Sequence, residues 1–283
     1  MRQTDAAHTK LPSGASVPVL GQGTWHLGER PTERTQEIAA LQLGIDLGMT
    51  VIDTAEMYGD GAAERLVADA VGDRRGDVFI VSKVLPSHAE DKRRMIAACE
   101  GSLRRLRTEH IDLYLLHWRG KARLAQVVDT FHTLKDAGKI LHWGVSNFNM
   151  TDLEELQRLP GGHVVSTDQI LYSLAHRGAE YDLLPTQLMH GIPIMAYAPI
   201  DQGRVLRNTV VDQVAARHEA TPAQVALAWV LRQSGVIAIP RASSPEHVKE
   251  NRAALKIALT RHDLADLDRA FPPPDGPKPL EMI

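Results

Sequence analysis

The stretch "VIDTAEMYGD", residues 51–60, passes from β-branched apolar residues into a carboxylate, Asp53, and reaches a phenol, Tyr58, five positions later. Two further groups that handle protons follow: Lys83 lies 30 residues after Asp53, and His117 lies 34 after Lys83. A carboxylate, a phenol, an ammonium and an imidazole brought together can hold and donate protons, so the chemistry on offer is acid–base chemistry. A tyrosine with an ordinary pKa of about 10 keeps its proton at neutral pH, and a neighbouring cation eases its release. Each residue has a plain alternative. An acid after a strand is often a helix N-cap, but "DTAEMYGD" separates Asp53 from the next helix, and Asp60 is the better placed cap.

These residues need a frame to bring them together. Short apolar runs of strand type, "VPVLGQG", "TVIDTA", "VFIVSKV", "IDLYLLH", "LHWGVSN", "VVSTDQI", "IPIMAYAP" and "GVIAIPR", alternate with amphipathic stretches of helical spacing such as "KRRMIAACEGSLRRL" and "TPAQVALAWVLRQSG". In the first such helix Ile38, Leu41 and Ile45 recur at helical spacing and Gly48 supplies a stop. Eight alternations demand parallel strands joined by crossover helices. The reading is an α/β fold, a (β/α)8 TIM barrel, with residues 1–283 forming one domain. A doubly wound nucleotide-binding sheet would carry G-x-G-x-x-G after its first strand, whereas "GQGTWH" has His26 at the third glycine place. "HTKLPSGASVPV" reads as an N-terminal β-hairpin plugging the barrel bottom, "ALTRHDLADLDRAF" as a C-terminal helix, and "PPPDGPKPLEMI" as an extended tail able to cross one mouth.

In such a barrel chemistry collects at the carboxyl ends of the strands. Every end is polar or aromatic: Trp25, Asp53 with Tyr58 just beyond, Lys83, His117, Ser146-Asn147, Gln169, Tyr197 and Arg241. Neighbouring strands lie about 4.8 Å apart, so Asp53, Tyr58, Lys83 and His117 can converge on one side of the mouth.

Composition narrows the partners. With 32 basic and 35 acidic residues the net charge is -3, which gives no field to draw in nucleic acid or an anionic membrane. The basic clusters Lys92-Arg93-Arg94 and Arg104-Arg105-Leu106-Arg107 fall in helical pattern and read as solvated faces. One cysteine, Cys99, sits on an apolar helix stripe and has no internal partner, and the N-terminus lacks a signal-type apolar core; both fit a cytoplasmic protein. No apolar run approaches the roughly 18 residues of a membrane span. The H-x-H pair of a barrel metal hydrolase is missing from "VLGQGTWH", so no metal site is expected.

The motifs "LGQGTW", "VIDTAEMYG", "VFIVSK", "DLYLLHW", "GKILHWGVSNF", "AYAP" and "IPRASSPEHVKEN", in this order over essentially the whole chain, resemble the aldo-keto reductases, and most closely their single-domain bacterial members acting on methylglyoxal and similar dicarbonyls. The resemblance implies NADPH-dependent reduction of an aldehyde or ketone with Asp53, Tyr58, Lys83 and His117 as the catalytic tetrad. Tyr58 would be the general acid, Lys83 the cation that eases its proton release, Asp53 the anchor of Lys83, and His117 the group that orients the carbonyl. It also implies that Ser146, Asn147 and Gln169 hold the nicotinamide carboxamide and Tyr197 its ring. Arg241, Ser243 and Ser244 would hold the 2′-phosphate, with His247, Glu250 and Asn251 on the adenine side. Arg241, Ala242 and His247 stand where lysine, serine and arginine are usual in the family. A histidine with a pKa near 6.5 is mostly neutral at pH 7, so NADPH is the expected cofactor with some tolerance of NADH.

Trp25 and Trp118 would line a shallow substrate mouth between short loops, suited to methylglyoxal, glyoxals and simple aromatic aldehydes. Arg119 and Lys121, beside His117, could add affinity for a keto-sugar acid, or be ordinary loop charges. The expected partner is a small carbonyl compound, with the chain acting as a monomer. The alternative is a cofactor-binding sensor barrel with little turnover; the complete tetrad speaks for turnover.

Overall fold

The computed structural model describes residues 7–283. It begins with an antiparallel hairpin, β1 (His8–Lys10) and β2 (Ser16–Pro18). Eight strands then run parallel and in chain order: β3 (Gln22–Gly23), β4 (Val51–Asp53), β5 (Phe79–Val84), β6 (Ile111–Leu116), β7 (Ile140–Ser146), β8 (Asp168–Leu171), β9 (Ile194–Tyr197) and β10 (Val236–Ala238). Parallel bridges at Leu20–Ala238 and Gly23–Arg241 join the first strand to the last. Gly21 N–H donates to the Ala238 carbonyl at 2.8 Å, and Ala238 N–H to the Val19 carbonyl at 2.8 Å, so the sheet closes into a (β/α)8 barrel.

The first barrel strand is shorter than "VPVLGQG" predicts, because Val17 and Pro18 belong to the hairpin. Its closure explains the two glycines that do not make a nucleotide fingerprint. A Cβ on Gly23 would lie 2.7 Å from the Ile239 carbonyl oxygen, and one on Gly21 2.7 Å from that of Val51. Only glycine lets the strand approach its neighbours so closely.

Side chains alternate along each strand between the helix layer and the barrel interior. Outward residues such as Ile52, Ile80, Tyr114, Trp143, Ile170 and Ile194 join the large core under the helices. Inward residues form a second core of Val51, Val81, Leu113, Leu115, Met195, Ile237 and Ile239, with Leu11 and Val17 of the hairpin packed in from below. Two residues further along the strands, Val51 gives way to Asp53, Val81 to Lys83, Leu115 to His117, Met195 to Tyr197 and Ile239 to Arg241. The interior is thus apolar below and polar at the carboxyl end, and the period of two puts all these groups on the same inward face.

The helices follow the amphipathic pattern. Helix Arg34–Asp46 stops ahead of Gly48, whose φ of 81° is the left-handed turn expected there. Helix Lys92–Leu106 buries Cys99 completely beside Met95, Leu103 and Leu106. The expectation for Asp60 needs correction. Helix Ala62–Val71 has Gly61 as its N-cap, with no side-chain cap. Asp60 and Gly61 are both left-handed, at φ 50° and 76°, so the chain enters the helix through a tight turn with Asp60 one residue too early to cap. Helix Arg261–Ala270 starts from a Thr260–Asp263 capping box. Beyond it the tail runs without regular structure until Met282 and Ile283 reach the barrel mouth. Among the described residues no helix is long and apolar enough to cross a membrane.

Candidate active site

The carboxyl ends of the strands open into a cavity of about 600 Å³. Trp25, Asp53, Tyr58, His117, Trp118, Ser146, Asn147, Gln169, Tyr197 and Arg241 all line it. Lys83 does not; it is completely buried beneath the cavity floor.

Lys83 Nζ donates to Asp53 Oδ2 at 2.8 Å, to the Thr54 carbonyl at 2.8 Å and to Tyr58 Oη at 3.1 Å. These three acceptors match the three donors of an ammonium. Asp53 Oδ1 accepts from Gln169 Nε2 at 2.7 Å, so the carboxylate is held from two sides of the barrel. The loop that carries Tyr58 is pinned as well. Glu56 Oε1 accepts from Leu85 N–H at 2.8 Å and sits 2.9 Å from His88 Nδ1, which ties the middle of the loop to the end of β5.

The electrostatics follow from this packing. Burial raises the pKa of the Tyr58 phenol; the Lys83 cation pulls it back, Asp53 pushes it up again, and the result stays above the ordinary tyrosine value. Burial works against the charge on Lys83, but Asp53 and Tyr58 together outweigh it and hold the ammonium above its usual range. At neutral pH the phenol is therefore protonated next to a permanent cation. His117 behaves in the opposite way. Burial, reinforced by Lys83, takes its pKa down to about 2. Its ring is neutral, packs edge-on to Tyr58 at 5.8 Å between centroids, and has a buried Nδ1 with no hydrogen-bond partner. A neutral imidazole carries one donor and one acceptor. A protonated phenol beside a neutral imidazole, both lining one cavity, suits an oxygen that becomes negative.

The remaining strand ends divide. Ser146 Oγ donates to the Gln169 carbonyl at 2.8 Å, which fixes β7 to β8. Asn147, at φ 59°, is committed within the protein: its Nδ2 donates to the His117 carbonyl and to Ser146 Oγ, both at 3.1 Å, and its Oδ1 accepts from Tyr197 Oη at 2.8 Å. Gln169 spends Nε2 on Asp53, and among the described residues its Oε1 has no hydrogen-bond partner. Arg241 reaches the cavity edge exposed, its guanidinium without a partner among the described residues. Ser243, Ser244, His247, Glu250 and Asn251 lie past it, outside the cavity, on the turn and helix Pro245–Ala253. Ser244 is the N-cap and accepts from His247 N–H at 3.4 Å. Asn251 is buried and His247 exposed.

Trp25 is partly exposed and lies 4.3 Å from the His26 ring; Trp118 lies 5.2 Å from that of His117. Arg119 is occupied by the Ala122 carbonyl, Glu155 and Asp152, so the ordinary reading of that charge holds. Sequence patterns missed Glu56, the Gln169–Asp53 bond, and Met282 and Ile283 on the cavity wall. Only Glu56 carried a signal, as an acid inside a loop bounded by two candidate residues.

The pattern of the Aldo/keto reductase family matches residues 19–271. Methylglyoxal reductase YeaE of Escherichia coli K12 is 48% identical over 273 residues, covering 95% of this chain and 96% of that protein. Glyoxal reductase of Bacillus subtilis is 32% identical over 276 residues, covering 97% and 96%. An aldo/keto reductase from Klebsiella pneumoniae, solved in complex with NADP and acetate, shares 48% identity and superposes with a TM-score of 0.94 over 98% of this chain and 99% of that one. The family pattern runs from the first barrel strand to the last helix and the relatives match over nearly their full lengths: the chain belongs to the aldo/keto reductase family.

Proposed function

We propose that this enzyme reduces small aldehydes and ketones, methylglyoxal-like dicarbonyls foremost, to alcohols at the expense of NADPH. The observation that carries the reading is the buried Asp53–Lys83–Tyr58 chain, which delivers a protonated phenol into the cavity that the neutral His117 also faces. NADPH supplies the hydride when bound. Tyr58 Oη gives its proton to the carbonyl oxygen as that oxygen gains negative charge, and Lys83, which stays charged, stabilises the phenolate left behind. His117 donates a hydrogen bond to the same oxygen and sets the angle of the carbonyl. Asp53 touches neither reactant; it keeps Lys83 under the phenol, with Gln169 bracing it.

The donor set fits the cofactor. The free Oε1 of Gln169 accepts from a carboxamide NH₂, Tyr197 offers an aromatic face, and Ser146 and Asn147 brace that corner rather than bind alone. Arg241, charged and unpartnered, is placed for a phosphate, with Ser243, Ser244 and the amides of helix Pro245–Ala253 beyond it. His247, Glu250 and Asn251 take the adenine side. With His247 in the place of a second arginine, NADH is used less well but used. The rim of Trp25, Trp118 and Met57 is apolar and Arg119 beside it is occupied, which favours methylglyoxal, glyoxal and aromatic aldehydes over keto-sugar acids.

The test is loss of nicotinamide absorbance with NADPH and with NADH over a panel of these carbonyls. Turnover of the dicarbonyls with NADPH ahead of NADH is expected. Absence of turnover with both cofactors across the panel would replace the reductase reading by that of a cofactor-binding barrel.

A further inference from the structure

The upper wall of the cavity is built from two segments that no strand connects. One is the loop after β9, of which Ala198, Ile200, Gln202 and Gly203 face the cavity; the other is the tail, which contributes Met282 and Ile283. The loop has an unfavourable backbone. Ala198, Asp201 and Gln202 are non-glycine residues at φ 46°, 49° and 51°, and Gly203 follows at 86°. Such a run persists only where its surroundings over-determine it. Tyr197, at the start of the loop, lines the same cavity as Met282 and Ile283.

One side chain lies between the two. His176, in the connection after β8, has Nε2 at 3.1 Å from Asp201 Oδ1 and Nδ1 at 2.8 Å from Glu281 Oε2. Asp201 Oδ1 is also the acceptor for Arg204, from Nη2 at 2.6 Å and Nε at 3.1 Å. The side chains of Asp201 and His176 are 6% and 18% exposed and that of Glu281 59%, so the loop half of the link is sheltered and the tail half is the one that water weakens.

We propose that His176 is a positioning residue: lying within hydrogen-bond distance of both Asp201 and Glu281, it presses Met282 and Ile283 against the loop after β9 and limits the substrates to compact carbonyls. The size limit rests on the reductase reading above; the tether itself does not.

The experiment compares wild type, Glu281→Ala, His176→Ala and the double variant. The first readout is kcat/KM for a bulky aldehyde, 2-naphthaldehyde, relative to methylglyoxal. The second is hydrogen exchange of the peptide ending at Ile283. The ratio should rise roughly threefold in Glu281→Ala and at least as far in His176→Ala, with faster exchange of the tail peptide in both. Because both substitutions cut the same link, the double variant should match His176→Ala. An unchanged ratio, or a double variant whose effects multiply, would overturn the size limit, and unchanged tail exchange would overturn the tether. Complete inactivity of wild type towards all carbonyls would instead sink the reductase reading and the size limit with it, and the exchange data would still judge the tether.

Discussion

Tyr58, Lys83 and Asp53 have different tasks although one hydrogen-bonded chain contains all three. Lys83 and Asp53 have side-chain exposures of 0% and 4%, so removing one partner leaves the other charge buried and uncompensated. Lys83→Met should therefore cost about 3–5 kcal/mol of stability. The double variant Lys83→Met/Asp53→Asn removes both charges; it should recover most of that loss in urea unfolding while remaining catalytically poor. Recovery of activity together with stability would mean that Lys83 serves the fold alone. His117 makes a separate prediction about pH. Its folded pKa of about 2 lies below the ordinary 6.5, so as pH falls from about 6.5 toward 2 the unfolded chain takes up a proton that the folded one refuses. Stability is lost with falling pH across that window, by up to about 1.4 kcal/mol per pH unit from this group. His117→Gln should flatten the urea-derived stability curve between pH 6 and 4; an unaltered slope would show that the buried ring is not neutral.

At the scale of elements, one helix gives a simple chemical test. Cys99 is enclosed in helix Lys92–Leu106, and burial pushes its thiol up to about 12. It should resist thiol reagents in the native protein and react at once in denaturant. Labelling at a rate independent of unfolding would mean that this helix does not pack as described. The elements also mark the limit of what the sequence discloses. The period of two along each strand and the spacing of one βα unit between Asp53, Lys83 and His117 made the strand-end groups readable as neighbours. What stayed hidden depends on closure. Gln169 meets Asp53 from the opposite side of the barrel, 116 residues away, and no local pattern encodes that meeting. Asn147 carried the right chemistry for a ligand, yet its amide is consumed by His117, Ser146 and Tyr197, which only the geometry reveals. Asp60 failed as a cap because a left-handed pair at 60 and 61 shifted the helix start by one residue. Composition did anticipate an extended tail at a barrel mouth, but not that Met282 and Ile283 would enter the cavity.

For the molecule as a whole, the hairpin below, the closed sheet and the tail above share two nested cores, and Leu11 and Val17 bind the first segment to the barrel interior. We propose that the chain is one domain on this basis. Calorimetry should then give a single transition whose van't Hoff and calorimetric enthalpies agree; two separated transitions would contradict it. The central claim is that a phenol carried above a buried lysine gives the proton that completes carbonyl reduction. The most direct measurement is single-turnover oxidation of bound NADPH by methylglyoxal, comparing wild type with Tyr58→Phe. Phenylalanine keeps the ring and its packing and deletes only the proton, so the expected result is a fall of about 10² to 10⁴ in the rate of hydride transfer with NADPH affinity little changed. A Tyr58→Phe enzyme that reduces methylglyoxal at close to the wild-type rate would contradict the account.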